Sequence, residues 1–165
     1  MSGITLIGMP GSGKSTIGRL LAAKIGFAFV DLDNLIRDKE MKTHAQIAKE
    51  RGDAELSRLE EVYTLRLNLE KTVFAPGGSI VYSPTAMEKL RRDTKIFYLA
   101  VSAEEISRRL GDQLHHRGII GLEERGLAGI FSERLPLYER YAHMRIDCGN
   151  KDAAAIVKQV SSLIA

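Results

Sequence analysis

The sequence predicts an α/β fold in three layers, with a parallel sheet between helices. Three observations predict it. Short apolar runs alternate with amphipathic runs from end to end. The apolar runs lack polar alternation, as strands buried on both faces do. A glycine-rich turn carrying Lys14 joins the first strand to the first helix.

The elements follow in order. Ile4–Ile7 is a short apolar strand. Ser15–Ile25 is a helix with Ile17, Leu20, Leu21 and Ile25 on one face, and Gly26 ends it. Phe27–Val30 is the second strand and stops at Asp31-Leu32-Asp33. Thr43 is placed to cap a helix running to Arg51. Gly52-Asp53 breaks it, and a further helix reaches about Glu70. Thr72–Ala75 is the third strand, ended by Pro76-Gly77-Gly78. Pro84–Arg92 is helical, Lys95–Val101 is the fourth strand, and Ala103–Leu110 is a helix. Gly111–Gly129 is rich in Gly, His, Arg and Glu without strong periodicity, and reads as a mobile, partly helical excursion. Ile130–Tyr141 resumes a helix, Met144–Cys148 is the fifth strand, and Ala153–Ile164 is a closing helix. There are no repeats.

The chain of 165 residues has the size of one domain. Its 44% hydrophobic and 27% charged residues support a core and argue against disorder. A net charge of +3 suits an anionic ligand. The basic residues are spread along the chain, whereas a nucleic-acid binder concentrates them. Cys148 is alone, which excludes an intramolecular disulfide and points to a reducing compartment. Met1–Thr5 shows no signal-peptide pattern, and no apolar run reaches the length of a membrane span. The expectation is a cytoplasmic monomer that binds neither nucleic acid nor membrane. His44, His115, His116 and His143 show no ligand spacing and read as surface or lid residues.

Gly8-Met9-Pro10-Gly11-Ser12-Gly13-Lys14-Ser15-Thr16 fits G-x-x-x-x-G-K-[ST] in full. The glycines let backbone wrap a phosphate without Cβ clashes. Loop amides and the next helix's N-terminus then face the anion. In such loops the lysine, here Lys14, reaches the β and γ phosphates, and the hydroxyl of Ser15 ligates Mg²⁺. The donor is therefore ATP·Mg²⁺. A GTPase would add N-K-x-D and D-x-x-G; Asn150-Lys151-Asp152 lacks the spacer, and no D-x-x-G is present. The chain is too short for an AAA-type motor. Small-molecule and nucleotide kinases remain.

Asp31-Leu32-Asp33 places two carboxylates past the second strand, where ligands of open α/β sheets bind. One can order Mg²⁺ and its waters; the other can accept a proton from a substrate hydroxyl. The bland reading makes Asp33 the N-cap of a helix over Asn34–Lys39.

These motifs, with Gly52-Asp53, Gly77-Gly78, Arg117, Arg134-x-Pro136-Leu137-Tyr138 and Met144-Arg145-Ile146-Asp147, resemble shikimate kinase over essentially the whole chain. The resemblance implies a five-stranded parallel sheet of order 2-3-1-4-5 in a P-loop kinase fold. It implies transfer of the ATP γ-phosphoryl to the 3-hydroxyl of shikimate, in the pathway to aromatic amino acids. It places a lid at about 111–126 and a substrate-binding helical region at about 34–60. By position, Asp31 resembles the Mg²⁺-associated acid, and Asp33 the acid that contacts substrate hydroxyls. Gly77 and Gly78 resemble the turn whose amides approach the substrate, and Arg134 the arginine that pairs with its carboxylate. Arg117 resembles the lid arginine that reaches ATP phosphates. Arg109 resembles a residue near the adenine, with the loop Asn150–Asp152 as the other wall.

The chain departs from the family at its acceptor end. A glycine triplet becomes Gly77-Gly78-Ser79, and Arg-Pro-Leu-Leu becomes Arg117-Gly118-Ile119-Ile120. The family's Gly-Glu-x-x-Phe-Arg becomes Gly52-Asp53-Ala54-Glu55-Leu56-Ser57. Ser57 stands at the arginine position and Arg58 comes one residue late, about 100° round the helix; Ser57, Arg58 and Ser79 are expected to line the acceptor's site. These departures leave a different small hydroxylated acceptor as the alternative. A non-catalytic ATP-binding regulator is a further alternative, against which Lys14, Ser15, Asp31 and Asp33 argue.

Overall fold

The computed structural model describes residues 2–164. Five strands form one sheet of order β2-β3-β1-β4-β5. They are β1 (Gly3–Ile7), β2 (Ala28–Asp31), β3 (Thr72–Ala75), β4 (Thr94–Ala100) and β5 (Met144–Asp147). All neighbours are parallel, with Ile4 opposite Val73 and Leu6 opposite Phe97. The predicted sheet is the one observed. The unalternating runs explain it: every residue of β1 and β3 is buried.

Among the described residues eight α-helices surround the sheet: α1 (Lys14–Ile25), α2 (Leu32–Glu40), α3 (His44–Arg51), α4 (Asp53–Arg66), α5 (Pro84–Asp93), α6 (Ala103–Leu110), α7 (Leu122–Tyr141) and α8 (Ala153–Ile164). Helix α1 packs on α8, and α3 on α4. Thr43 caps α3 with a reciprocal bond: its Oγ1 accepts from the Gln46 amide at 3.2 Å, and Gln46 Oε1 accepts from the Thr43 amide at 2.8 Å.

Four expectations shift. Helix α4 stops at Arg66 rather than Glu70 because Asn68 Oδ1 takes the Glu70 amide at 3.0 Å, a local turn that competes with helix. The turn at Gly77-Gly78 continues as a short 3-10 helix, Gly78–Tyr82. Asp31, not Asp33, caps α2: its Oδ1 accepts the Asn34 amide at 3.1 Å, and Asp33 lies in the first turn. The excursion at Gly111–Gly129 is largely helical. A 3-10 helix spans Gly111–His116, and α7 starts at Leu122 with a break at Gly126.

Helix α7 is fixed from below. Tyr138 stacks on Tyr98 of β4 with ring centroids 5.1 Å apart, and its hydroxyl donates to Gly78 O at 2.7 Å. One turn earlier on α7, Arg134 is thereby held beside the turn that follows β3.

Candidate active site

A cavity of about 660 Å³ opens past the C-terminal ends of β2 and β3 and runs beneath residues 117–120. Two ends can be distinguished by their chemistry.

The donor end is the loop before α1. Pro10, Gly11, Gly13, Lys14, Ser15 and Thr16 line it. Gly8, Met9 and Ser12 are buried and do not line the cavity. Their backbone still takes part: Lys14 Nζ donates to Gly8 O and Met9 O, each at 2.9 Å. Burial pushes the Lys14 ammonium down to about 8, although Asp33 pulls it the other way. The Ser12 hydroxyl is buried without a hydrogen-bond partner.

Ser15 Oγ donates to Asp31 Oδ2, while the other Asp31 oxygen caps α2. A hydroxyl and a carboxylate side by side are hard oxygen donors. They suit Mg²⁺, which keeps waters and phosphate oxygens in its remaining positions. Arg109 lines the same end and donates to Gly11 O at 3.2 Å. Arg117 lines the cavity just past the 3-10 helix. The loop Asn150–Asp152 does not line it: Asp152 accepts the Ala155 amide at 2.8 Å at the start of α8.

The other end of the cavity brings together Asp33, Gly77, Gly78, Ser79 and Arg134, the residues expected to meet the acceptor. Close approach explains the glycines. A Cβ on Gly77 would lie 2.5 Å from Glu60 Oε1, and one on Gly78 would lie 3.0 Å from Arg134 Nη1. Arg134 is only 1% exposed. It donates to Ile120 O at 3.0 Å and to the Tyr82 hydroxyl at 3.3 Å, and its guanidinium lies over the Tyr82 ring. Among the described residues no carboxylate pairs with it. A buried arginine with an open Nη1 is suited to an anionic group.

Ser79 Oγ donates to Glu60 Oε2 at 2.6 Å. Glu60 is buried, and burial pushes its carboxyl up to about 7 despite that bond. Thus Ser79 spends its hydroxyl on Glu60.

Ser57 and Arg58 are corrected. Neither lines the cavity. Arg58 sits on the outer face of α4, 58% exposed, and forks onto Glu55 with two bonds of 2.8 Å. The helical phase decides this, because the buried residues of α4 are Leu56, Leu59, Glu60 and Thr64.

Three titratable lining residues were not among the expected site residues: His44, Glu60 and Arg37. His44 is not a surface or lid residue. Its ring is 11% exposed, and Nε2 lies 3.2 Å from Asp33 Oδ1, out of line for a full hydrogen bond. The ligand atoms of Asp33, His44 and Glu60 all lie within 4.8 Å of one another. Burial would raise the Asp33 carboxyl, but contact with His44 and the charges of Lys14 and Arg117 hold it below the usual range. Burial would lower His44; its contact with Asp33 outweighs that and raises it. Spacing could have found both residues. His44 is one turn before buried Ile47, and Glu60 is one turn after buried Leu56.

The family model for shikimate kinase matches residues 10–165. The chain belongs to the shikimate kinase family. Among curated shikimate kinases, that of Mycobacterium avium is 37% identical over 159 residues, covering 95% of this chain and 90% of the relative. That of Mycobacterium ulcerans is 35% identical over 160 residues, covering 95% and 86%. Among solved structures, shikimate kinase from Acinetobacter baumannii in complex with shikimate has a TM-score of 0.88 at 27% identity, covering 99% of this chain and 93% of that one. The enzyme from Bacteroides thetaiotaomicron has a TM-score of 0.83 at 25% identity, covering 99% and 98%. No helix among the described residues is long and apolar enough to cross a membrane.

Proposed function

We propose that this shikimate kinase family member transfers the γ-phosphoryl of ATP to a hydroxyl of shikimate in the cavity described, with its residues in the following roles. The observation that carries the reading is one cavity shared by Lys14, Ser15, Asp31, Asp33 and Arg134. Loop amides and Lys14 bind the phosphates of ATP. Ser15 and Asp31 hold Mg²⁺, which when bound neutralises charge on the phosphates. Arg134 pairs with the shikimate carboxylate, and the amides at Gly77 and Gly78 approach the ring. Asp33 accepts a hydrogen bond from the acceptor hydroxyl and orients it; as the O–P bond forms, the hydroxyl proton leaves towards Asp33 and the γ-phosphorus separates from ADP. Arg117 lies on a lid of about 111–126 that excludes water, and residues of about 34–60 form the acceptor's helical wall. Arg109 lies towards the nucleotide base.

Arg58 is committed to Glu55, which leaves Arg134 as the buried cation for the acceptor's acid group. The family match does not favour the alternative acceptor or the non-catalytic regulator.

The test is ADP release with ATP·Mg²⁺ and a panel of small hydroxylated acids. Stimulation by shikimate supports the assignment. Stimulation by another acceptor alone would overturn the substrate, and no turnover with any would overturn the reaction.

A further inference from the structure

We propose that His44 is a positioning residue of this reaction: its Nε2 fixes the Asp33 carboxylate for the acceptor hydroxyl, and residue 118 of the lid holds His44 in place. The proposal rests on the function proposed above and deepens it.

The first ground is that Asp33 has little else to fix it. Among the described residues, His44 is the only side chain within ion-pair or hydrogen-bond distance of its carboxylate. A short carboxylate at the mouth of a cavity turns freely about its last bond, and a catalytic acceptor that turns freely is out of line most of the time. The 3.2 Å contact to Oδ1 leaves Oδ2 for the substrate. Catalytic contacts of this kind tighten when the acceptor is bound.

The second ground is that His44 is itself held from several sides. It is the first residue of α3, directly after the reciprocal cap made by Thr43 and Gln46. Its ring faces Asp33 of α2 and Glu60 of α4. Its Nε2 is enclosed and has no other partner. From above, Gly118 (φ +62°) lies so close that a Cβ there would stand 2.5 Å from the His44 carbonyl carbon and 2.4 Å from the Ala45 nitrogen. Backbone at residue 118 therefore packs directly against the turn that carries His44. Lid and Asp33 are linked through one residue.

The charges agree with this placement. Burial disfavours an imidazolium, yet Asp33 and Glu60 together leave His44 with a raised affinity for its proton. A donor on Nε2 is what Asp33 needs.

The experiment compares His44→Leu, which keeps bulk and removes the donor, with His44→Gln, which keeps a donor of similar reach. We expect the leucine variant to lose about 10- to 100-fold in kcat with shikimate. The KM for ATP should stay within about twofold, because the donor end is untouched. The glutamine variant should recover most of kcat. A leucine variant with the wild-type kcat would overturn the proposal, as would a glutamine variant as slow as leucine. A second measurement does not use the acceptor: a double-mutant cycle of His44→Ala with Asp33→Ala, read by urea unfolding. Non-additive losses support the contact, and additive losses refute it. If the wild type ignored shikimate, the acceptor assignment would fall, and the cycle would still decide whether His44 fixes Asp33.

Discussion

Glu60 sits where an acid is costly. It is buried beneath Gly77, holds one bond from Ser79, and takes up its proton near pH 7 rather than at the usual 4.5. The sign of the stability effect follows. The folded state keeps a proton that the unfolded chain releases between those values. Stability from this residue is therefore fully present below about pH 4.5 and is lost as pH rises through about 7. The span corresponds to roughly 3 kcal/mol. Glu60→Gln should flatten that decline, with urea unfolding at pH 5 and pH 8 as the measurement; an unchanged decline would show that another group titrates. Asp33 behaves oppositely, since its carboxyl is held low and stays ionised. Asp33→Asn should abolish transfer to shikimate while ATP still binds in a calorimetric titration. Full turnover by that variant would remove Asp33 from the mechanism.

Among the elements, the segment proposed as a lid packs at residue 118 where one added carbon would clash. The Arg117-Gly118 junction reads from sequence as a loosened lid, because glycine is flexible. In the fold the same glycine permits contact, since its missing Cβ is what lets the lid backbone meet the start of α3. Gly118→Ala combines a strained φ with that clash. It should lower kcat with shikimate about tenfold or more, with little change in melting temperature because the lid is peripheral; wild-type turnover would show that the lid seats elsewhere. The elements themselves were largely legible. Strands β1 and β3 announced themselves as unbroken apolar runs, and Thr43 and Gly26 marked helix ends. The site was legible where its residues are neighbours in sequence, as in Gly8–Thr16 and Asp31–Asp33. His44 and Glu60 come from separate helices and meet Asp33 only through the packing of α2, α3 and α4. Arg58 was misplaced for a related reason: its charge suggested a role, and the phase of α4 assigned it to solvent.

Across the whole molecule, cations that look scattered in the sequence converge in space. Lys14, Arg37, Arg109, Arg117 and Arg134 all face one cavity, although the net charge is only +3. Burial makes the Lys14 ammonium easy to deprotonate, the charges of Arg134 and Arg117 add to this, and it lets go near pH 8. ATP brings negative charge and should restore the proton. At pH 9 nucleotide binding should therefore take up most of one proton, measured by calorimetry in buffers of different ionisation enthalpy, and Lys14→Met should abolish the uptake. Proton release instead would reverse the assignment. Arg134 has a wider consequence. The guanidinium proposed to grip the acceptor also donates to Ile120 O, three residues after Arg117, which is proposed to reach the phosphates of ATP. On the proposed roles one side chain would serve two tenants, and the arrival of either should change the other's affinity. Thermodynamic reciprocity makes the two responses equal: whatever factor shikimate adds to nucleotide binding, nucleotide must return to shikimate. Paired titrations with a non-hydrolysable ATP analogue should give that shared factor above one in the wild type, and a factor near one in Arg134→Ala.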